Sequence, residues 1–388
     1  MKVLVVMDAI DIGGISSAFI NFVKELDKVV DCDILVFDNE SIGKDTFPQS
    51  ITVVKANWPI KLLGMPQKKV KEKSWFWACI RTAFVMISKV VNGNFARRIL
   101  LLFTKKLSGY DIAISYSQDV GWKTLARGCN DFVLHNVDAV KKCAYIHCDY
   151  ERFGGYHKKQ ENTYRRFNYI LCVSNGCRNS FVRCFPDLKD KTIVMENFTD
   201  VDLIQYKALE ENLPRKNCKN IITICRISEE KGIHRTVRVL EKLKNEGYVF
   251  CWTIVGDGAD YHLVEEMIKE KEMTDFIEMV GLKKNPFPYL KNADVFLLPS
   301  YHEAAPMVFG ECWALGIPVI STETSSAREM VEDQGIGFVC ENSENGLYVA
   351  LKGYLDGKLN SESLMGLREQ NVNNFPLKHL HAFLKIVG

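Results

Sequence analysis

Short apolar runs rich in β-branched residues alternate with helical stretches along almost the whole chain, and no other feature restricts the fold as much. In the second half the runs are NIITIC (220–225), VFCWTIVG (249–256), FIEMVG (276–281), DVFLLPS (294–300), PVIS (318–321) and IGFVC (336–340). They are near-continuous in apolar character rather than alternating. Strands of that kind are buried on both faces, as in a parallel sheet covered by helices. In the intervening IHRTVRVLEKLKNEG, Ile233, Val237, Leu240 and Leu243 share one helical face and Gly247 marks the end. The pattern predicts a doubly wound, Rossmann-like α/β domain over residues 202–370. The first half opens the same way, KVLVVM leading into GGISSAFINFVKEL, and continues through YDIAIS, CAYIHCDY, YILCVS and KTIVMEN. This predicts a second such domain over 1–201, with a closing helix at about 371–388 packing back on it. The charged stretch 201–220 has no convincing period and reads as a linker.

Composition adds limits. Of 388 residues, 47% are hydrophobic and 25% charged, with a formal net charge of +2, which fits a soluble globular protein and leaves the partners open. The 13 cysteines include no CxxC and no cluster with His at zinc spacing. Cys172, Cys225 and Cys251 sit inside apolar runs, so buried, reduced thiols in a reducing, cytoplasmic setting are expected. No run of 18 apolar residues occurs, and the apolar part of the N-terminus is short for a signal peptide and meets Asp8 and Asp11 at once. DCD (31–33) and DVD (200–202) have the form used by metal-dependent transferases, but one opens a strand and the other lies in the linker, so no metal site and no resident cofactor are expected.

Ligands of doubly wound sheets bind beyond the carboxyl ends of the strands. Two motifs lie there. In SYHEAAPMVFGECWALGIPVIS (300–321), Pro306 suits a first helical turn, and Gly316 with Pro318 ends that helix. Glu303 is then in the loop over the strand end. Glu311, about one and a half turns into the helix, leans back toward the same place. Free N–H groups near Met307 and Val308 favour an anion. In CRISEEKG (225–232), Arg226 directly follows a strand and Lys231 stands at the next helix start, a pair suited to a diphosphate. Carboxylates for hydroxyl groups and cations for phosphates together match a nucleotide-sugar. DIGGIS lacks the third glycine of a dinucleotide fingerprint, so hydride transfer is unsupported.

CRISEEKG resembles the G-R-x4-K-G signature of family 4 glycosyltransferases, VGDGAD (255–260) their second glycine turn, and EAAPMVFGE (303–311) their E-x7-E motif. VSNGCRNSF, VMENFTDVD and DIGGIS match further landmarks loosely, and the likeness is weakest over about residues 40–140. The resemblance implies a GT-B arrangement, two Rossmann-like domains facing an interdomain cleft, and a retaining, metal-independent transfer. By position, Arg226 and Lys231 would hold the diphosphate, Glu311 the ribose hydroxyls and Glu303 the transferred sugar. Gly13 and Gly14 would let the backbone approach phosphate and acceptor, and Gly256 belongs to the second glycine turn. His147 matches the acceptor-side histidine, and Leu282 lies where the base meets backbone. Cys225 replaces a glycine, and Ala304 with Ala305 replaces Gly-Phe beside the sugar pocket, so the donor sugar stays open. A GT-B UDP-sugar epimerase and a silent nucleotide-sugar-binding module are the alternatives.

The last feature is a basic segment. Residues 56–110 hold eleven Lys/Arg against one acid, Glu72, with Trp58, Trp75, Phe76 and Trp77 interleaved. This composition predicts an anionic membrane surface as partner, through residues 61–106, rather than nucleic acid. The sequence thus predicts a UDP-sugar-dependent enzyme of polysaccharide synthesis, peripheral on the inner face of the cell membrane, with a glycan or lipid-linked acceptor.

Overall fold

A computed structural model describes residues 1–43, 46–154, 156–359 and 372–387. The chain divides into two compact units: Met1–Phe198 with Phe375–Gly388, and Thr199–Asn374. Residues 370 and 371, where the second domain is expected to stop and the closing helix to start, lie outside the described residues, as does 388.

The first unit holds a seven-stranded sheet. Its strands are β1 (Lys2–Ala9), β2 (Asp31–Asp38), β3 (Thr52–Val53), β4 (Leu107–Ser115), β5 (Val137–Ile146), β6 (Tyr169–Cys172) and β7 (Thr192–Val194), in the order β3-β2-β1-β4-β5-β6-β7. All neighbours run parallel. β1 buries Val3 to Met7 without a break, because helices cover both faces. The helices are α1 (Gly14–Asp27), α2 (Trp58–Gly64), α3 (Gln67–Lys73), α4 (Trp75–Val90), α5 (Gly93–Leu101), α6 (Cys129–Asn136), α7 (Glu161–Tyr164) and α8 (Asn175–Cys184). α1 buries Phe19, Phe22, Val23 and Leu26 at helical spacing. The C-terminal helix Asn374–Val387 sets Phe383 edge-on to Tyr169, and His379 bonds Glu196 at 3.0 Å. Asp33, of the DCD motif, is buried in β2, where Lys2 lies 3.1 Å away and the Tyr110 hydroxyl donates to it at 2.8 Å.

Two arginines of the basic segment face the protein rather than a membrane. Arg81 donates to Leu62 O at 3.0 Å and to Gln67 Oε1 at 2.9 Å. Arg97 is 1% exposed, with Asp131 at 2.5 Å and Asp119 at 3.6 Å. A buried cation persists only when paired, and here two carboxylates supply the charge.

The second unit holds a six-stranded, all-parallel sheet: β8 (Lys219–Ile224), β9 (Phe250–Val255), β10 (Ile277–Gly281), β11 (Val295–Leu298), β12 (Val319–Thr322) and β13 (Gly337–Cys340), in the order β10-β9-β8-β11-β12-β13. Its helices are α9 (Val201–Lys207), α10 (Ile233–Asn245), α11 (Tyr261–Glu270), α12 (Phe287–Lys291), α13 (Met307–Leu315) and α14 (Glu344–Leu355). Alternate residues of each strand feed opposite cores. Ile221, Val295 and Leu297 join Val237, Leu240 and Trp252 on one face. Ile222, Phe296 and Leu298 join Val308, Phe309 and Cys312 on the other. The stretch 201–220, expected to be a linker, begins with α9. Asp200 Oδ1 accepts from Leu203 N at 3.1 Å as its cap, and Gln205 donates to Ala314 O of α13 at 3.0 Å. Seven residues are too few to show a helical period.

Cys218 and Cys251 form a disulfide, in contrast to the reduced thiols expected throughout. Cys218 immediately precedes β8, and Asn220 registers with Cys251 across the sheet, which brings the two Cα atoms to 6.3 Å. Among the described residues no helix is long and apolar enough to cross a membrane.

Candidate functional site

In the second sheet the strand order reverses between β8 and β11. Loops leaving neighbouring strands at such a point diverge and open a crevice over the carboxyl ends. The loop after β8 carries Lys231 and the loop after β11 carries Glu303. Lys231 Nζ lies 2.6 Å from Glu303 Oε1, with the two side chains 19% and 13% exposed. Ser300 Oγ donates to the same carboxylate oxygen at 2.7 Å. One acid, one ammonium and one hydroxyl thus converge at the switch point.

Backbone contacts hold the loops in register. Gly232 has φ 68°, and a Cβ there would stand 2.0 Å from Pro299 O. Gly256 has φ 149°, and a Cβ there would stand 1.8 Å from Cys225 O. Ile227 N donates to Asp257 O at 2.9 Å, and Asp260 N to Ile227 O at 3.2 Å, which stitches the loop after β8 to the loop after β9. A side chain at Gly256 meets backbone, which cannot swing away. Gly256→Ala is therefore expected to cost about 3 kcal/mol of stability. Urea unfolding measures it, and an unchanged midpoint would show that the loops are not packed this way.

Sequence reasoning missed Arg235. Its guanidinium is buried, donates to Pro299 O at 2.6 Å, Ser300 O at 3.2 Å and Asn342 Oδ1 at 2.7 Å, and lies 3.9 Å from the Tyr301 ring centre. It fixes the chain just before Glu303. Asn342 donates to Tyr301 O at 2.9 Å, and Ser325 donates to Glu303 O at 2.7 Å. Position 235 is two residues off the apolar stripe of α10, where an arginine reads as facing solvent; no sequence signal marks it.

The remaining predicted residues differ in placement. Arg226 turns to Glu230 at 2.8 Å, and its side chain is 72% exposed. Burial would raise the Glu230 carboxyl, but hydrogen bonds from Ser228 and Arg226 outweigh it and bring it down to about 2. Arg226 makes no ion pair with Glu303 or Glu311. Glu311 lies on α13, half-buried, and burial alone pushes its carboxyl up to about 7. Among the described residues its carboxylate has no hydrogen-bond or ion-pair partner. Met307 and Val308 begin α13, where backbone N–H groups have no intrahelical acceptor. Ala305 lies in the loop just before, and Ala304 beside it is buried. Leu282 is exposed just past β10, next to Gly281, whose carbonyl accepts from Gly256 N at 3.0 Å.

Gly13, Gly14 and His147 belong to the first unit. Gly13 precedes α1 in extended backbone, and a Cβ there would meet nothing within 4 Å. Gly14 is the first residue of α1. His147 follows β5, stacked on Tyr145 at 4.7 Å between ring centres. Its Nε2 is 2.8 Å from Tyr116 O, and its backbone N–H donates to Gln118 Oε1 at 2.6 Å. Burial pushes the imidazole down to about 3, so it is neutral near pH 7. A carbonyl only accepts, so Nε2 carries the proton and Nδ1 is left as an acceptor.

Residues 206–356 match the family described as Glycosyl transferases group 1. A putative colanic acid biosynthesis glycosyltransferase WcaL of Salmonella typhimurium is 28% identical over 237 residues, 58% of this chain and 55% of that protein. The N-acetylgalactosamine-N,N'-diacetylbacillosaminyl-diphospho-undecaprenol 4-alpha-N-acetylgalactosaminyltransferase of Campylobacter jejuni is 27% identical over 195 residues, 50% of this chain and 52% of that protein. The matched stretches therefore span about half the length of these curated relatives. Among solved structures, Anabaena HepE in complex with UDP aligns with a TM-score of 0.66 at 14% identity, covering 99% of this chain and 100% of that one. The sucrose-phosphate synthase of Thermosynechococcus elongatus aligns at 0.68 and 15% identity, covering 100% and 99%. At these identities the likeness is one of fold. Each unit is Rossmann-like, as its strand pattern predicts, and the chain has the fold of GT-B enzymes, as the resemblance implies.

Proposed function

We propose that this protein is a retaining glycosyltransferase that works without a bound metal. It moves a sugar from a UDP-sugar to a glycan or lipid-linked acceptor in cell-surface polysaccharide synthesis, at the cytoplasmic face of the membrane. The observation that carries this reading is the Lys231–Glu303 pair at the switch point of the second sheet. With no donor bound, ammonium and carboxylate neutralise each other. A donor separates them: Lys231 moves to the diphosphate, and Glu303 accepts from hydroxyls of the transferred sugar. The N–H groups at Met307 and Val308 add positive potential on the phosphate side, and Glu311 accepts from the two ribose hydroxyls. Arg226, exposed and paired with Glu230, swings from it to the diphosphate. The bond from the anomeric carbon to the diphosphate oxygen breaks while a bond to the acceptor oxygen forms on the same face. The acceptor's proton passes to the departing phosphate oxygen. Charge accumulates on that diphosphate, and fixed cations aimed at it lower the barrier. His147, neutral, accepts a hydrogen bond from a substrate hydroxyl through Nδ1.

The UDP complex of HepE and the undecaprenyl-linked substrate in the Campylobacter enzyme's name support donor and acceptor classes respectively. The test is a thermal-shift series with UDP, GDP and ADP. At about 100 times its dissociation constant, UDP should add about 2.7 kcal/mol of stability. That corresponds to a rise of about 5–10 °C. No shift with UDP, or equal shifts with all three, would overturn the donor assignment. Labelled UDP-sugars with and without membrane extract then separate transfer from epimerisation and from silent binding.

A further inference from the structure

α4 reverses the usual polarity of a surface helix. Its charged residue at mid-length, Arg81, points into the protein, on Leu62 O and Gln67 Oε1. Its outward positions Trp75, Cys79, Ala83, Met86 and Val90 recur at helical spacing and are exposed, Trp75 by 73% and Val90 by 77%. Water-facing helical stripes are ordinarily polar, and contiguous exposed apolar surface marks a contact. The helix is anchored at its start, where Trp77 stacks on Trp58 with ring centres 5.5 Å apart, so Trp75 and Phe76 are left outward. α5 packs against α4 and leads to Leu102, which is 81% exposed, and Phe103, also exposed.

Charge identifies the occupant. Lys68, Lys71, Lys89, Arg98, Lys105 and Lys106 are exposed in the same segment, and among the described residues none has an ion-pair partner. Lys61, Lys69 and Lys73, by contrast, are paired with Glu40, Asp38 and Glu40. Glu72 is the segment's lone acid. A second copy of the chain fits poorly, since a two-fold contact would set this cationic rim against itself. An anionic bilayer answers both parts, apolar side chains entering the acyl boundary and cations meeting headgroups.

We propose that the outward face of α4, with Leu102 and Phe103 beyond α5, is a membrane-docking surface for anionic phospholipid, and that Trp75 enters the headgroup layer. This goes beyond the donor chemistry and stands independently of it. The full chain is tested by flotation with vesicles of phosphatidylcholine alone or mixed with phosphatidylglycerol, at low and high salt. Binding is expected only to the mixed vesicles and to weaken with salt. The triple variant Trp75→Ser, Met86→Ser, Val90→Ser and the double variant Lys105→Glu, Lys106→Glu should each bind about tenfold more weakly or worse. All five side chains are exposed, so circular dichroism should be unchanged, and the UDP thermal shift should persist in both variants. Brominated lipid should quench tryptophan fluorescence in the wild type and less in Trp75→Phe. Equal binding to neutral vesicles, no binding to either, or wild-type binding by the triple variant would overturn the proposal. So would a concentration-dependent dimer abolished by Met86→Ser, which would give the face to a second copy.

Discussion

Lys231→Ala is expected to lower turnover by roughly 10²–10³-fold, the cost of removing one preorganised stabilising group from a developing anion. The ammonium sits at the switch point, 2.6 Å from Glu303, and in the proposed reaction it meets the leaving diphosphate. The substitution also strands the Glu303 carboxylate, which among the described residues keeps only the Ser300 hydroxyl. A partly screened pair of this kind should cost about 1 kcal/mol of stability when broken, too little to unfold the unit. Lys231→Arg keeps the charge but replaces a compact ammonium with a planar fork, so partial activity is expected. Steady-state transfer from labelled UDP-sugar, with circular dichroism as the fold control, measures all of this. Wild-type turnover in Lys231→Ala would remove Lys231 from the mechanism and leave the pair a structural one.

Glu311→Gln should make the protein more stable and a poorer binder at once. The Glu311 carboxyl is raised from an ordinary 4.5 to about 7 by burial, so the folded chain holds this proton more tightly than the unfolded chain does. Its contribution to stability is therefore largest below pH 4.5, declines as pH rises from 4.5 to about 7, and stays lost above that. The gap corresponds to at most about 3 kcal/mol and, for a half-buried group, to about 1–3 kcal/mol. Glutamine keeps the shape without the charge. At pH 8 its melting temperature should exceed the wild type's by about 2–6 °C, and the two should converge near pH 4.5. Affinity for UDP should meanwhile fall roughly 30–100-fold, since charge-assisted bonds to two ribose hydroxyls are lost. Calorimetric scans at both pH values and titration with UDP decide it. A less stable Glu311→Gln that binds UDP normally would sink the assignment.

How much was legible beforehand depended on burial. β8 to β13 show in the sequence because both faces are covered, which leaves unbroken apolar runs such as NIITIC. Lys231 and Glu303 could be singled out because each follows a strand, but their meeting needed the strand order, which sets β8 beside β11. Spacing cannot say which way a loop side chain turns, and Arg226 lies on Glu230 although Lys231, five residues on, reaches Glu303. α4 was hard to place because its helical stripe of apolar side chains faces outward and Arg81 turns inward, the reverse of what marks a surface helix in a sequence. Arg97 counted as surface charge for the same reason, since its buried partners Asp119 and Asp131 are distant in sequence.

The short helix α9 bears on where the chain can be cut. Gly310 of α13 sits so close to Thr199 that a Cβ would stand 2.1 Å from Oγ1, and Gln205 ties α9 to the end of α13. A fragment begun at Lys219, with the first strand of its sheet, would lose both of these contacts along the flank of the helix that bears Glu311. Expressing the second unit alone, for ligand screening, calls for a junction ahead of Thr199, so that α9 travels with α13.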